Sequence, residues 1–140
     1  MSIMSIRKIV AISALAVTAM MPAMASAATP DAARCILNDH QVVSVTPYNV
    51  EQHVGYSTIT RLGGADIHVR AEPGLTAQWL QVSLGRHLAE MRGDMKDCAL
   101  DPRGVQVDVT PVQDGFSVKL IAKDTDKAAE VLRRARLLAT

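Results

Sequence analysis

The stretch ADIHVRAEPGLTAQWLQVSLGRHLAEMRG, residues 65–93, decides the fold class. Its first eight residues alternate Ala65, Ile67, Val69 and Ala71 with Asp66, His68, Arg70 and Glu72, the period-two pattern of a half-buried strand with one wet face. Pro73-Gly74 closes that run. Thr76 then suits an N-cap, and Leu80, Leu84, His87, Leu88 and Met91 recur at helical spacing up to Gly93, a C′ stop just after Arg92. Trp79 falls at the border of that stripe. A strand feeding a helix of one apolar stripe predicts a sheet layer covered by a helix layer.

Working outward, residues 56–62 are rich in β-branched and aromatic types, and Gly63-Gly64 suits a two-residue hairpin turn into the strand at 65–71. Residues 41–46 read as a short edge strand stopped by Pro47, with a turn at 47–49. On the other side, a loop from Gly93 to Gly104 leads to a second hairpin. There Val105, Val107 and Val109 alternate with polar residues, Asp114-Gly115 marks the turn, and Phe116, Val118, Leu120 and Ala122 form the apolar face of the return strand. A last helix starts near Asp124 or Thr125, with Ala128, Val131, Leu132, Ala135 and Leu138 on its stripe. Arg133, Arg134 and Arg136 lie in its second half, where the helix dipole favours cations. The order is one strand and then two hairpin–helix units, at about 55–92 and 105–139. The predicted fold is an α+β two-layer sandwich: a mostly antiparallel sheet with both helices on one face. Asp66, His68, Arg70, Gln106, Asp108, Ser117 and Lys119 then face water, with Ile121 the one apolar residue among them.

The first 27 residues read differently. Arg7 and Lys8 precede an uncharged apolar run at 9–21, Pro22 breaks it, and small residues follow. Ala23-Met24-Ala25 and Ala25-Ser26-Ala27 fit the small-x-small cleavage pattern, so residues 1–27 are expected to be a secretory signal peptide, cut after Ala27 or, alternatively, Ala25. The apolar run is shorter than the roughly 20 residues of a spanning helix, which disfavours a retained anchor. Residues 28–140 are then one small domain in a periplasmic or secreted location. Of 15 basic and 14 acidic residues, two basic ones leave with the leader, so the mature chain carries 13 against 14, net −1. That near-neutral balance argues against nucleic acid and against anionic membrane surfaces as partners. Four aromatics, Tyr48, Tyr56, Trp79 and Phe116, make a poor stacking platform for sugars or single strands.

Only two cysteines occur, Cys35 and Cys98. In an oxidising compartment the pair reads first as a disulfide, and second as a thiol metal or redox site, although the spacing is far from Cys-x-x-Cys. Among candidate ligands, His87 and Met91 are four apart and share a helix face. Imidazole and thioether suit copper, above all Cu(I). Both also sit among leucines that read as core. One histidine and one methionine do not fill a coordination sphere, and His68, on the wet face, does not join them easily. His40 and His53 lie beside Asp39 and Glu51 in what reads as a solvated segment; with His68 they make a surface site only if the first strand packs beside the hairpin. Asp66 and Asp108 are the one carboxylate pair that can share a face, but no cleft is inferable around them. There is no Gly-x-Ser-x-Gly and no His-Glu-x-x-His. No catalytic residue is assigned, and the chain is not expected to be an enzyme.

The run Ala71-Glu72-Pro73-Gly74-Leu75-Thr76-Ala77-Gln78-Trp79-Leu80, with His87 beyond it, resembles a segment of a family of small exported proteobacterial proteins. Asp97-Cys98-Ala99-Leu100 and Asp114-Gly115-Phe116 are similar to later parts of the same proteins, so the likeness spans most of residues 55–139. It implies export and this fold, and no particular chemistry. The leading expectation is an exported, non-catalytic binding or accessory domain for an envelope protein or small ligand; the alternative is a periplasmic copper-type metal-binding protein using His87 and Met91.

Overall fold

A computed structural model describes residues 34–91, 95, 97–100 and 104–140. The proposed leader, residues 1–27, lies outside the described residues. After a 3-10 turn at Ile36–Asp39 the chain forms β1 (Val42–Val54), β2 (Ser57–Arg70), α1 (Ala77–Glu90), β3 (Val105–Val112), β4 (Gly115–Ala122) and α2 (Thr125–Arg136), ending in a 3-10 turn at Leu137–Ala139. The four strands form one antiparallel sheet in the order β1-β2-β4-β3. The α+β two-layer sandwich is therefore observed, built as two hairpin–helix units.

The first hairpin differs from the sequence reading. Pro47 does not stop a strand: it sits inside β1, opposite Ala65. Proline is tolerated there because β1 is an edge strand, where a missing N–H need not break a ladder. The hairpin turn is Gly55-Tyr56, with Gly55 at φ 62°, the positive value a II′ turn asks of its first central residue. Gly63-Gly64 is no turn at all. It lies within the continuous β2, at the register shift where Tyr48 faces Gly64 and Asn49 faces Leu62. A Cβ on Gly64 would collide with the Leu120 carbonyl of β4, so the glycine there allows the strands to approach. The separate short strand and the hairpin expected at 56–71 thus merge into one long hairpin. In the second, the turn is Gln113-Asp114 and Gly115 already belongs to β4.

The helix N-caps follow the sequence. The Thr76 hydroxyl accepts from the Trp79 N–H at 3.1 Å, and the Asp124 carboxylate from the Lys127 N–H at 2.8 Å. α1 ends earlier than the stop read at Gly93: Glu90 is its last residue, and Met91 has already left the helical region, so Met91 does not share a helix face with His87. Ala65, Ile67 and Val69 of β2 and Val118 and Leu120 of β4 are fully buried, facing Leu80 and Leu84 of α1 and Ala128, Val131 and Ala135 of α2. Leu37, Ala99 and Leu100 from the loops complete this core. α2 lies over β2 and β4, while α1 lies over β3. The opposite sheet face carries Asp66, His68, Ser117, Lys119, Gln106 and Asp108, as the alternation predicts. Among the described residues, no helix is long and apolar enough to cross a membrane.

Candidate functional site

Cys35 and Cys98 are joined in a disulfide, Cα to Cα 5.2 Å, across 63 positions of chain. Each half is held independently of the bond. Cys35 opens the 3-10 turn, its carbonyl accepting from the Asn38 N–H at 2.9 Å, and the turn is pinned by the fully buried Leu37. Cys98 is held by Arg134. That side chain is not simply a cation at a helix end: it is buried, its Nε donates to Glu130 Oε1 at 2.6 Å, and its Nη1 donates to the carbonyls of Met95 at 3.1 Å and Cys98 at 3.3 Å. The helical position of Arg134 gave no sign that it reaches a loop 36 residues earlier.

His87, in the last turn of α1, brings its ring against the disulfide. One ring nitrogen and the two sulphurs all lie within 4.8 Å of one another. Nε2 is buried without a hydrogen-bond partner, one of two such side-chain atoms among the described residues; the other is Nε2 of His68. Burial pushes the His87 pKa below 6.5, and the Glu90 carboxylate only partly opposes this. Met91 packs partly buried against the same core, and its N–H bonds to the His87 carbonyl at 2.9 Å. The fold therefore brings both cysteines to the His87 ring, a convergence that helical spacing alone does not reveal.

The other histidines stay apart. His40 is not solvated: its side chain is 9% exposed, its Nδ1 lies 3.3 Å from Glu72 Oε2, and its ring meets Trp79 edge-on at 6.0 Å. The Gln41 N–H donates to the other oxygen of Glu72 at 3.3 Å. These contacts hold the Glu72 carboxyl below 4.5, the Gln41 N–H most and the His40 ring next. β1 does pair with the strand carrying His68, but His68 is opposite Ser44, whereas His53 is opposite Thr58 at the far end of the hairpin. Ten residues of strand between Thr58 and His68 amount to about 33 Å, so no three-histidine surface site forms. Asp66 and Asp108 share the open face, but Lys119 of β4 pairs with both and lies between them. Asp66 accepts the Ser117 hydroxyl at 2.6 Å.

A second feature lies beyond the body of the sheet. β4 pairs with β2 only over Gly64–Arg70, so residues 57–62 pair with β1 alone. The result is a two-stranded arm about 20 Å long, in which residues 51–60 are all exposed. The pairs Val50–Arg61, Gln52–Ile59 and Val54–Ser57 put Val50, Ile59 and Val54 on one side of the arm. A Cβ on Gly63 would touch Val50 and Tyr48, which places Tyr48 on that same side, and Lys119 of the open sheet face lies over the Tyr48 ring at 5.6 Å. The arm thus extends the open face, and does so with apolar side chains: Val54 is 53% exposed and Ile59 48%, with Tyr56 fully exposed at the tip. Ile121 is not the one apolar residue of that face. The turn read at 47–49 broke the alternation that would have found the others. No family model, curated protein or solved structure matches this chain.

Proposed function

We propose that the chain is an exported, non-catalytic binding domain whose β1–β2 arm docks an extended polypeptide segment of an envelope protein. The observation that carries this reading is the arm itself. A two-stranded ribbon is marginal in water on its own. Here it displays Val54, Ile59 and Tyr56 without a core to bury them, with Val50 half-buried on the same side. Such an arm offers unpaired backbone groups on both outer edges and apolar side chains on one face. Those are the two things strand addition uses: backbone bonds for affinity and alternate side chains for specificity. Covering Val54 and Ile59 supplies up to about 2 kcal/mol each. The arm holds one glutamate, one histidine and one arginine (Glu51, His53, Arg61), so a strand of little net charge suits it better than a polyanion. Export is supported by the leader-like residues 1–27, by the disulfide and by the resemblance to small exported proteobacterial proteins.

The test places a photoreactive amino acid at Ile59 or, as control, at Asp108 on β3, in the full chain expressed in exporting cells. Adducts with another polypeptide at position 59, absent at 108 and lost when Val54→Lys is added, are expected. No adduct at 59, equal adducts at both positions, or an adduct of two copies of this chain would each contradict the reading. Mass measurement of the envelope fraction tests export: a mature N-terminus at residue 28 or 26 is expected, and an intact Met1 on cytosolic protein would contradict it.

A further inference from the structure

We infer that Cys35, Cys98 and His87 form a site for a thiophilic d10 cation, of the Zn(II) or Cu(I) class, whenever the disulfide between the two cysteines is open. Three observations converge on it. The two sulphurs and one imidazole nitrogen lie within 4.8 Å of one another. Tetrahedral zinc with two thiolates holds its sulphurs about 3.8 Å apart, given metal–sulphur bonds of about 2.3 Å, so opening the bond requires a small separation and a closer approach by the ring. His87 Nε2 is buried without a partner, an arrangement that costs free energy and that ligation through this nitrogen would relieve.

The third observation is that scission does not disperse the ligands. Cys98 stays tied through the Met95 and Cys98 carbonyls to Arg134, and Cys35 stays in its turn behind the buried Leu37. His87 rides on α1, whose Leu80 and Leu84 are fully buried. Three ligands on three separately anchored segments make a preorganised site with one open coordination position, which water can fill.

The chemistry balances with a dithiol as reductant. Its two thiols give two electrons and two protons to the Cys35–Cys98 bond; the reductant leaves as its own disulfide, and the chain gains two thiols. A cation then displaces both thiol protons to solvent, while His87 contributes its lone pair and releases none. The site is thus the reduced counterpart of the structural bridge, and it does not depend on the arm or on any partner there.

Mature protein reduced anaerobically with a phosphine, then freed of it, is titrated with Zn(II) against a chromophoric chelator and separately with Cu(I). One equivalent of either ion is expected to bind the reduced chain, with binding at least about tenfold weaker in His87→Ala and in His87→Gln, and absent in the oxidised chain. The His87 ring resonances should shift on binding, and the thermal midpoint of the reduced chain should rise. Failure of both ions to bind at one equivalent would overturn the inference. So would equal affinity in both His87 variants, or metal binding by the oxidised chain. A reduced chain that unfolds and does not regain its native spectrum on adding metal would overturn it as well.

Discussion

The two edge strands of this sheet, β3 and β1, meet the same physical problem with different means. Along β3, Gln81 of α1 reaches over the edge: its Nε2 donates to the Val107 carbonyl at 2.8 Å and its Oε1 accepts from the Val109 N–H at 2.7 Å. A side-chain amide there stands in for the next strand, and the helix closes that side to pairing. Along β1, none of the thirteen residues is buried. The edge carries Pro47, a device that limits pairing at one point only, and the strand then runs on into the arm. The difference teaches where the fold keeps its stability. The body of the sheet, under α1, α2 and the disulfide, holds the core; the arm at the far end of β1 and β2 holds exposed apolar side chains that the core does not need.

That contrast can be sharpened by substitution, and the largest effect belongs to the body. Replacing Cys35 and Cys98 together by alanine removes the constraint on a long loop of unfolded chain. It should lower unfolding free energy by about 4 kcal/mol, measured by urea titration. Arg134→Ala comes next. It strands the carbonyls of Met95 and Cys98 and leaves Glu130 without one of its partners, for an expected loss of about 2–3 kcal/mol. Arg134→Lys should recover only part of this, since an ammonium does not reproduce the guanidinium fork. Gln81→Ala should cost about 1 kcal/mol and, more tellingly, raise amide exchange at Val109.

Acid should act on the body too. Glu130 is held down to about 2 by hydrogen bonds from Arg133 and then Arg134, and Glu72 is also held below 4.5. Carboxyls whose folded pKa is depressed support the fold fully above their unfolded value and lose that support as pH falls through the folded one. Stability should therefore decline from about pH 4.5 downward, with Glu130→Gln flattening the part of the slope that reaches toward pH 2. His87 acts in the same direction from a higher pH. Its folded pKa lies below 6.5, so the unfolded chain takes up its proton first, and acidification below 6.5 favours unfolding.

How much of this was legible depends on whether a residue's role is local. The caps at Thr76 and Asp124, the alternation in β2, β3 and β4 and the two helical stripes are written in short-range spacing, and they were readable. The pairing of Cys35 with Cys98 followed from their number and the inferred compartment. Pro47 misled because proline stops a central strand but not an edge strand, and edge position is a property of the whole sheet. Gly63-Gly64 misled because a glycine pair serves a turn and a close strand approach equally well; the deciding neighbour, Leu120, is 56 positions away. With the first hairpin misplaced, Val50, Val54 and Ile59 could not be seen to share a face. The candidate cation site was half legible: His87 stood out on its helix, but only packing sets it against two sulphurs from other segments. Arg134 and Gln81 look like ordinary helix-surface residues until the tertiary structure gives them backbone partners.

The smallest expected effect on stability is also the most telling. Val54→Lys with Ile59→Lys changes two residues on the arm, each about half exposed, so the unfolding free energy should stay within about 0.5 kcal/mol of the parent. Measuring that double variant by urea unfolding, beside photo-crosslinking from Tyr56 replaced by a photoreactive residue, reads fold and docking in one preparation. The account predicts an unchanged unfolding curve and a lost partner adduct. A drop of more than about 1 kcal/mol, or an adduct that survives both lysines, would contradict it.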